Sequence, residues 1–213
     1  SNSTNPLYLG NCSWLRWWRF TCSAGQSALV LGNETGKTPM GPANNCDFRY
    51  MHILRGNQEL VTIKHNSASN VFDNCLLEIS NNTHVDLGQN WVANGWGPEP
   101  RSAEAISEGL VSPLFLGEAV YFGYNSTSEM TTGAHAQWPA TTGPGNLTMR
   151  RITFRDIEGG EVIDMKSQGF GTCLIEDSLV DGCSSIFDGV FNNARGGRLM
   201  TLRNLVVRSI TRH

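Results

Sequence analysis

The amino-acid sequence predicts an all-β solenoid of stacked parallel strands, and two recurring patterns carry this prediction. The first is a run of about six residues in which apolar and polar residues alternate, as in residues 48–53 (FRYMHI). The second is an apolar-x-apolar triplet that follows the first pattern by 12 to 15 residues. Short runs with a period of two, separated by Gly, Asn and Ser, are typical of strands.

The copies of each pattern define the predicted coils. Copies of the first pattern begin at Trp14, Phe48, Phe72, Met149, Ile175 and Leu202. The triplets lie at 29–31, 61–63, 85–87, 120–122, 163–165 and 187–189. Most steps are 24 to 27 residues, enough for two or three strands each, and the step of 77 residues after Phe72 holds further coils and insertions. We therefore expect six full coils and a partial seventh.

We expect one domain over residues 1–213, since this length suits a single sizeable domain. Within it, residues 11–91 form the N-terminal coils, 92–146 hold the inserts around one coil, and 147–213 form the C-terminal coils. No convincing cap precedes residue 11, and a strand-like segment runs close to the last residue. We therefore expect either a fragment of a longer solenoid or subunits that stack end to end.

The repeated copies have an L-x-[IL]-x-N-x-x-[IF] character over residues 11–213, apart from the inserts. In this they resemble the right-handed parallel β-helix of the pectin-lyase-like superfamily. The resemblance implies a right-handed parallel β-helix of about six to seven coils with two long loop insertions. That superfamily includes pectate lyases, polygalacturonases, phage tailspikes and non-catalytic adhesins, so the resemblance does not decide the activity.

Composition excludes several classes of protein. Hydrophobic residues make up 39% and charged residues 16%, which argues against a disordered chain. The net charge of −3 does not indicate the basic surface that a nucleic-acid partner would need. Apolar stretches stay well below the ~20 residues that a membrane-spanning helix needs.

Cysteines and sequons favour a secreted, extracellular glycoprotein. The six cysteines contain no C-x-x-C pair, which favours disulfides over a metal site. We predict the bonds Cys12–Cys22, Cys173–Cys183 and Cys46–Cys75, with Cys12–Cys46 as an alternative. N-glycosylation sequons begin at Asn2, Asn11, Asn33, Asn81, Asn125 and Asn146.

One outward position of the first pattern alternates in charge from coil to coil. It is occupied by Arg49, Asp73, Arg150, Glu176 and Arg203. Stacking in register would place opposite charges side by side, which stabilises a sheet and fixes its register. We interpret these five residues as a structural ladder rather than as catalytic groups.

The central position of the triplets supplies the catalytic candidates. It is occupied by Val30, Thr62, Asp86, Tyr121, Asp164 and Asp188, and we expect it to face outward. Asp164 and Asp188 on adjacent coils, with Lys166 nearby, could act as an acid and nucleophile pair or bind calcium. Calcium is expected only if the protein is a lyase, where Lys166 or Arg195 would map loosely to the basic role. Polygalacturonase signatures are missing, and solvent-exposed Asp residues with a Lys partner are the simpler interpretation.

Tryptophans in the long loops are candidates for sugar stacking. Trp91, Trp96 and Trp138 lie in Gly- and Pro-containing segments, where their rings could stack on a polysaccharide or cover the sheet flank. The cluster of Trp14, Trp17 and Trp18 fits core filling or an end contact better. The five histidines have no ligand spacing, so no histidine metal site and no cofactor are expected.

Two classes of function follow from these features. The first is a secreted structural protein of an extracellular fibre or coat, whose partner is a second copy of itself stacked end to end. The alternative is a polysaccharide lyase or glycoside hydrolase that acts on an acidic polysaccharide along the β-helix face. A non-catalytic carbohydrate-binding module is the third possibility.

Overall fold

The computed structural model describes residues 7–23, 27–32, 41–54, 59–64, 67–78, 118–123, 145–157, 161–165, 172–183, 185–189 and 199–208. All regular elements in these ranges are β-strands. In the first part of the chain they are β1 (Leu7–Leu9), β2 (Cys12–Ser13), β3 (Arg16–Trp18), β4 (Thr21–Ser23), β5 (Ser27–Leu31), β6 (Ala43–Asn44), β7 (Asp47–Arg49), β8 (His52–Leu54) and β9 (Glu59–Ile63). The later strands are β10 (Ala68–Asp73), β11 (Leu76–Glu78), β12 (Glu118–Phe122), β13 (Gly145–Arg150), β14 (Thr153–Arg155), β15 (Glu161–Met165), β16 (Thr172–Asp181), β17 (Ser185–Gly189) and β18 (Leu199–Arg208).

The strands form two large parallel sheets. The triplet sheet has the order β1-β5-β9-β12-β15-β17, so its described strands contain five of the six predicted triplets together with β1. The long sheet has the order β3-β7-β10-β13-β16-β14-β11-β8-β4, with β18 added on β16. A short pair, β2 with β6, accompanies them. The predicted all-β chain with parallel strands is confirmed, and the arrangement is consistent with a parallel β-solenoid.

Among the described residues the long sheet has six levels, each formed by a strand pair or by one long strand. The levels are β3 with β4, β7 with β8, β10 with β11, β13 with β14, then β16, and finally β18. Residues that pair in register from level to level form a column. One such column contains Trp17, Phe48, Phe72, Met149, Ile175 and Leu202.

A single hydrophobic core joins the two sheets. The inner columns are apolar at successive levels, and the rings of Phe48 and Phe72 stack with centroids 4.6 Å apart. Phe122 and Ile163 extend the same core from the triplet sheet. Burying each such side chain contributes roughly 1.5–3 kcal/mol, so the repeated apolar column accounts for the stacking of levels.

Each level of the long sheet bends at a residue with a left-handed backbone. Those residues are Arg19, Tyr50, Asn74, Arg151, Asp177 and Asn204, with φ between 51° and 54°. This conformation costs a non-glycine residue about 1–2 kcal/mol. Hydrogen bonds between levels offset part of that cost, since the Arg19 amide donates to the Arg49 carbonyl and the Tyr50 amide to the Asp73 carbonyl.

The structure corrects the register of the first coil. Trp17, not Trp14, pairs with Phe48, so the predicted copy was displaced by three residues. Trp14 instead occupies a left-handed bend with φ of 64°. Because of this shift, Cys12 pairs in register with Ala43 and does not share a column with Cys46 or Cys173.

A second correction concerns Asp86. We predicted it between Thr62 and Tyr121, but these two residues are direct register partners. Residues 85–87 lie outside the described residues. Among the residues that the structure describes, there is also no helix with the length and apolar character that a membrane crossing needs.

Candidate functional site

The outer face of the triplet sheet carries the predicted catalytic column. Register pairs connect Thr62 to Tyr121, Tyr121 to Asp164, and Asp164 to Asp188, as predicted apart from Asp86. The column was expected to be exposed, and this expectation is wrong for Asp164, which is 1% exposed. Thr62 and Tyr121 are buried as well. Strand periodicity identifies the side on which a residue lies, but it does not reveal whether that side is covered.

Three carboxylates come together around Asp164. Ligand oxygens of Glu118, Glu161 and Asp164 all lie within 4.8 Å of one another. Glu118 and Glu161 begin the neighbouring strands β12 and β15, and Asp164 lies three residues after Glu161. Like charges this close repel unless a proton or a cation is shared between them. Carboxylate oxygens are the ligands that Ca²⁺ prefers, so these residues could hold a hard divalent cation.

Glu118 and Glu161 were missed by the sequence analysis, although a signal was present. Glutamate precedes the central triplet position by three residues in three copies, at Glu59, Glu118 and Glu161. These glutamates lie outside the alternating apolar core of each triplet, on which the prediction rested. A comparison of the residues that flank each copy would have found this acidic column.

A buried hydroxyl network surrounds Glu59. The hydroxyl groups of Ser27 and Thr62 donate to Oε2 of Glu59 at 2.8 Å and 3.2 Å, and the two hydroxyl oxygens lie 2.8 Å apart. Ser27 and Glu59 are register partners, and Glu59 also pairs with Glu118. Hydrogen bonds to a carboxylate stabilise its charged form, so these hydroxyls compensate for the burial of Glu59.

Lys64 brings a positive charge to the same part of the sheet. Its Nζ atom lies 5.1 Å from the centroid of the Tyr121 ring, a distance that allows a cation–π interaction. The lysine directly follows strand β9, and it is buried. A lysine, a tyrosine and several carboxylates are the groups that proton abstraction from a sugar would need. Lys64, Tyr121 and Asp164 are buried, whereas Glu118 and Glu161 are half-buried.

Several predicted site residues lie outside the described part of the chain. For Asp188 the structure gives the backbone register only. Those outside the described residues are Lys166, Arg195, Trp91, Trp96, Trp138, Asn2, Asn33, Asn81 and Asn125. Asn11 and Asn146 are described, and both are exposed at left-handed bends. Glycosylation stays a prediction at all six sequons.

All six cysteines are free thiols in the structure. Burial is the largest cause that raises the pKa of Cys12 to about 11, and the nearby Cys46 thiol and its hydrogen bond raise this pKa further. Cys12 and Cys46 are therefore in contact, as the alternative pairing requires. The disulfide pairings remain predictions.

The predicted charge ladder is present in register. Asp73 pairs with Arg49 on one side and Arg150 on the other, and Glu176 pairs with Arg150 and Arg203. Ion pairs join Arg150 to Asp73, at 3.1 Å, and Arg203 to Glu176. Arg49 differs from the expectation, since it binds Asp47 of its own strand at 2.8 Å. These contacts fit a role in register and stability.

Two apolar surfaces lie at opposite ends of the long sheet. At one end β18 pairs with β16 alone, and the other end is formed by β3 and β4. The exposed apolar residues of β18 are Leu199, Leu202, Val206 and Val207. Those at or beside the first level are Trp14, Trp18 and Phe20.

Comparison with known proteins assigns no family to the chain: no family model, curated protein or solved structure matches it.

Proposed function

We propose that this chain is a structural module of an extracellular fibre or coat. In this proposal it is a secreted, N-glycosylated, disulfide-bonded right-handed parallel β-helix of about six to seven coils, as in the pectin-lyase-like superfamily. Its end levels stack on another copy of the chain. The observation that carries the proposal is the exposed apolar edge of β18.

The exposed edge favours association for two reasons. Leu202 occupies the same column as the buried residues Phe48 and Phe72, but it is 44% exposed, and among the described strands β18 has a partner on one side only. Covering a large apolar side chain contributes roughly 1.5–3 kcal/mol. An edge strand also presents unpaired backbone groups, which a further parallel strand would satisfy.

Burial of the candidate catalytic face supports the same proposal. An enzyme that acts along the triplet sheet needs a groove that admits a polysaccharide. Asp164, Thr62 and Tyr121 are all buried, so these three side chains are not open to a polymer. A structural module has no need of an open groove there.

Sedimentation velocity at increasing protein concentration tests this proposal. The wild-type protein should form species larger than the 23.4 kDa chain as concentration rises. Leu202→Lys places a charge on the exposed end column and should remain monomeric. Thr148→Lys adds the same charge to β13, in the middle of the stack, and should associate like the wild type. A wild-type protein that is monomeric at every concentration would contradict the proposal.

The carboxylates at Glu118, Glu161 and Asp164 favour one second candidate, a calcium-dependent lyase acting on an acidic polysaccharide. Lys64 would then be the nearby basic group. The test is product formation from an acidic polysaccharide with Ca²⁺ or with a chelator, in the wild type and in Asp164→Asn. Glu78→Gln, on the other sheet, is the control. If the wild type forms product only with Ca²⁺, and Asp164→Asn abolishes this product while Glu78→Gln does not, the lyase is established. If the wild type forms no product, the lyase is eliminated.

A further inference from the structure

We infer that a second copy of this chain stacks in line on β18 in one defined register, so that its first level continues the side-chain columns of the long sheet. This inference rests on the proposed function, because it specifies the contact that end-to-end assembly would use. The two surfaces that meet in this contact are different. One is formed by β17 and β18, and the other by β1, β3 and β4.

The strand order at the two ends is compatible with such a joint. The triplet sheet ends in β1 and β17, and the long sheet ends in the β3–β4 level and β18. Each sheet has six levels among the described strands. An in-line copy therefore places its β1 on β17 and its β3 and β4 on β18, without leaving a strand unpaired on either sheet.

The inner columns match across this joint. Extending the observed register by one level places Leu202 next to Trp17 of the second copy, since both belong to the Phe48 column. It likewise places Val207 next to Cys22, since both belong to the column of Ile53. Apolar residues of one copy thus pack next to apolar residues of the other, as they do between successive levels of these two columns within the chain.

The bend of the long sheet matches as well. Asn204 in the last level and Arg19 in the first level have φ angles of 51° and 52°. Within the chain, the amides of four bend residues each donate to the carbonyl that precedes the bend of the next level: Arg19 to Arg49, Tyr50 to Asp73, Asn74 to Arg150 and Arg151 to Glu176. By the same rule, the Asn204 amide would donate to the Trp18 carbonyl of the second copy.

Charges are compatible in this register. Arg203 would lie next to Trp18, which is 57% exposed and offers its ring to a guanidinium. Arg16 would lie next to Thr201, since both belong to the column of Asp47 and Val71. The register therefore opposes neither Arg16 nor Arg203 to another cation, which would be destabilising.

Such a contact joins two different surfaces, so it repeats from copy to copy. A head-to-tail contact whose rotation does not close builds an open filament. A two-fold contact between identical ends would instead stop at a dimer. The two cases predict different cross-links.

Single-cysteine substitutions test the joint directly. Arg16→Cys and Thr201→Cys are exposed positions in one column, and within one chain they are five levels apart, about 24 Å. Across the joint their Cα atoms would lie about 5 Å apart, within disulfide range. Under mild oxidation, the mixture of the two variants should give a species of twice the 23.4 kDa chain mass. Neither variant alone should exceed the background of the wild-type protein.

An offset pair controls for the register. Arg203→Cys lies on the same face of β18, two residues beyond Thr201, and its mixture with Arg16→Cys should give little cross-link. Equal cross-linking by both mixtures would overturn the register. Cross-linking by Arg16→Cys or Thr201→Cys alone would show a contact between identical ends and overturn the in-line joint.

A second in-register pair guards against local disturbance by the first. Thr21→Cys and Val206→Cys share another column and are both exposed. If neither in-register mixture cross-links while the wild type still associates in sedimentation, the in-line joint is wrong and the proposed assembly stands. If the wild type does not associate, the proposed function and the joint fail together.

Discussion

Asp73 and Arg150 are register partners on neighbouring strands, and their side chains form an ion pair at 3.1 Å. The Asp73 carboxylate is 2% exposed and also binds Arg151 at 2.6 Å and the side-chain amide of Asn74 at 3.2 Å. Arg151 and Asn74 both occupy left-handed bends. Asp73 therefore connects the charge ladder to two left-handed bends of the long sheet.

Replacing Asp73 tests this connection. Asp73→Asn should lower the free energy of unfolding by about 1–3 kcal/mol, because it removes the buried partner of two arginines. The cost stays below that of a fully buried pair, since both arginines are partly exposed. Glu176→Gln, which breaks the more exposed pair with Arg203, should cost less than about 1 kcal/mol. Urea denaturation of both variants measures the difference, and equal losses would contradict the special role of Asp73.

Gly32 is a second position where substitution should be costly. Its φ is +93°, and a Cβ atom there would lie 2.4 Å from the backbone carbonyl oxygen of Lys64. Gly32→Ala should lower the free energy of unfolding by about 2–5 kcal/mol, from backbone strain and the clash together. At Gly182 the added atom would meet the Asp156 carboxylate at 2.7 Å, and a side chain can move away. Gly182→Ala should therefore cost less in the same thermal denaturation series, and the reverse order would refute the predicted clash.

Alkaline pH should destabilise the reduced protein through its buried thiols. Burial raises the pKa of Cys173 to about 12 from an ordinary value of 9.0. The folded state then holds its proton while the unfolded state loses it, so stability is full below about pH 9 and falls as pH rises toward 12.

The midpoint of thermal unfolding in reducing buffer, followed between pH 8 and 11, checks this sign. In Cys173→Ala the decline with pH should be shallower, because one linked proton is removed. Leu147→Ala, at the register partner of Cys173, should lower the midpoint at every pH without changing the slope. A slope in Cys173→Ala identical to that of the wild type would show that this thiol is not linked to folding.

The contact between Cys12 and Cys46 predicts a disulfide under oxidising conditions. Peptide mapping of the oxidised, non-reduced protein should recover Cys12 linked to Cys46. In Cys12→Ser, Cys46 should be recovered as a free thiol that is alkylated once the protein is denatured. Recovery of Cys12 linked to Cys22 would instead support the intra-coil pairing and contradict the contact.

The repeating core was predictable from the sequence because each level uses the same apolar positions. Phe48, Phe72 and Ile175 occupy one column, as their spacing and alternation indicate. The first copy was placed wrongly because Trp14, Trp17 and Trp18 are all aromatic. Nothing in the residue type shows that Trp14 occupies a left-handed bend, since Gly and Asn are the usual residues there.

The candidate site was only partly predictable. Register alone places Asp164 beside Asp188, and the structure bears this out. Burial of Asp164 was not predictable, because a period of two distinguishes the faces of a strand without showing what lies against them. Glu118 was missed because it lies at a strand end, outside the alternating run.

Negative-stain electron microscopy of the purified protein over a range of concentrations tests the central claim most directly. End-to-end stacking predicts filaments with an axial repeat of about 29 Å, from six levels at ~4.8 Å each. Discrete particles of uniform size at every concentration would contradict assembly through β18 and direct attention to the carboxylates around Asp164.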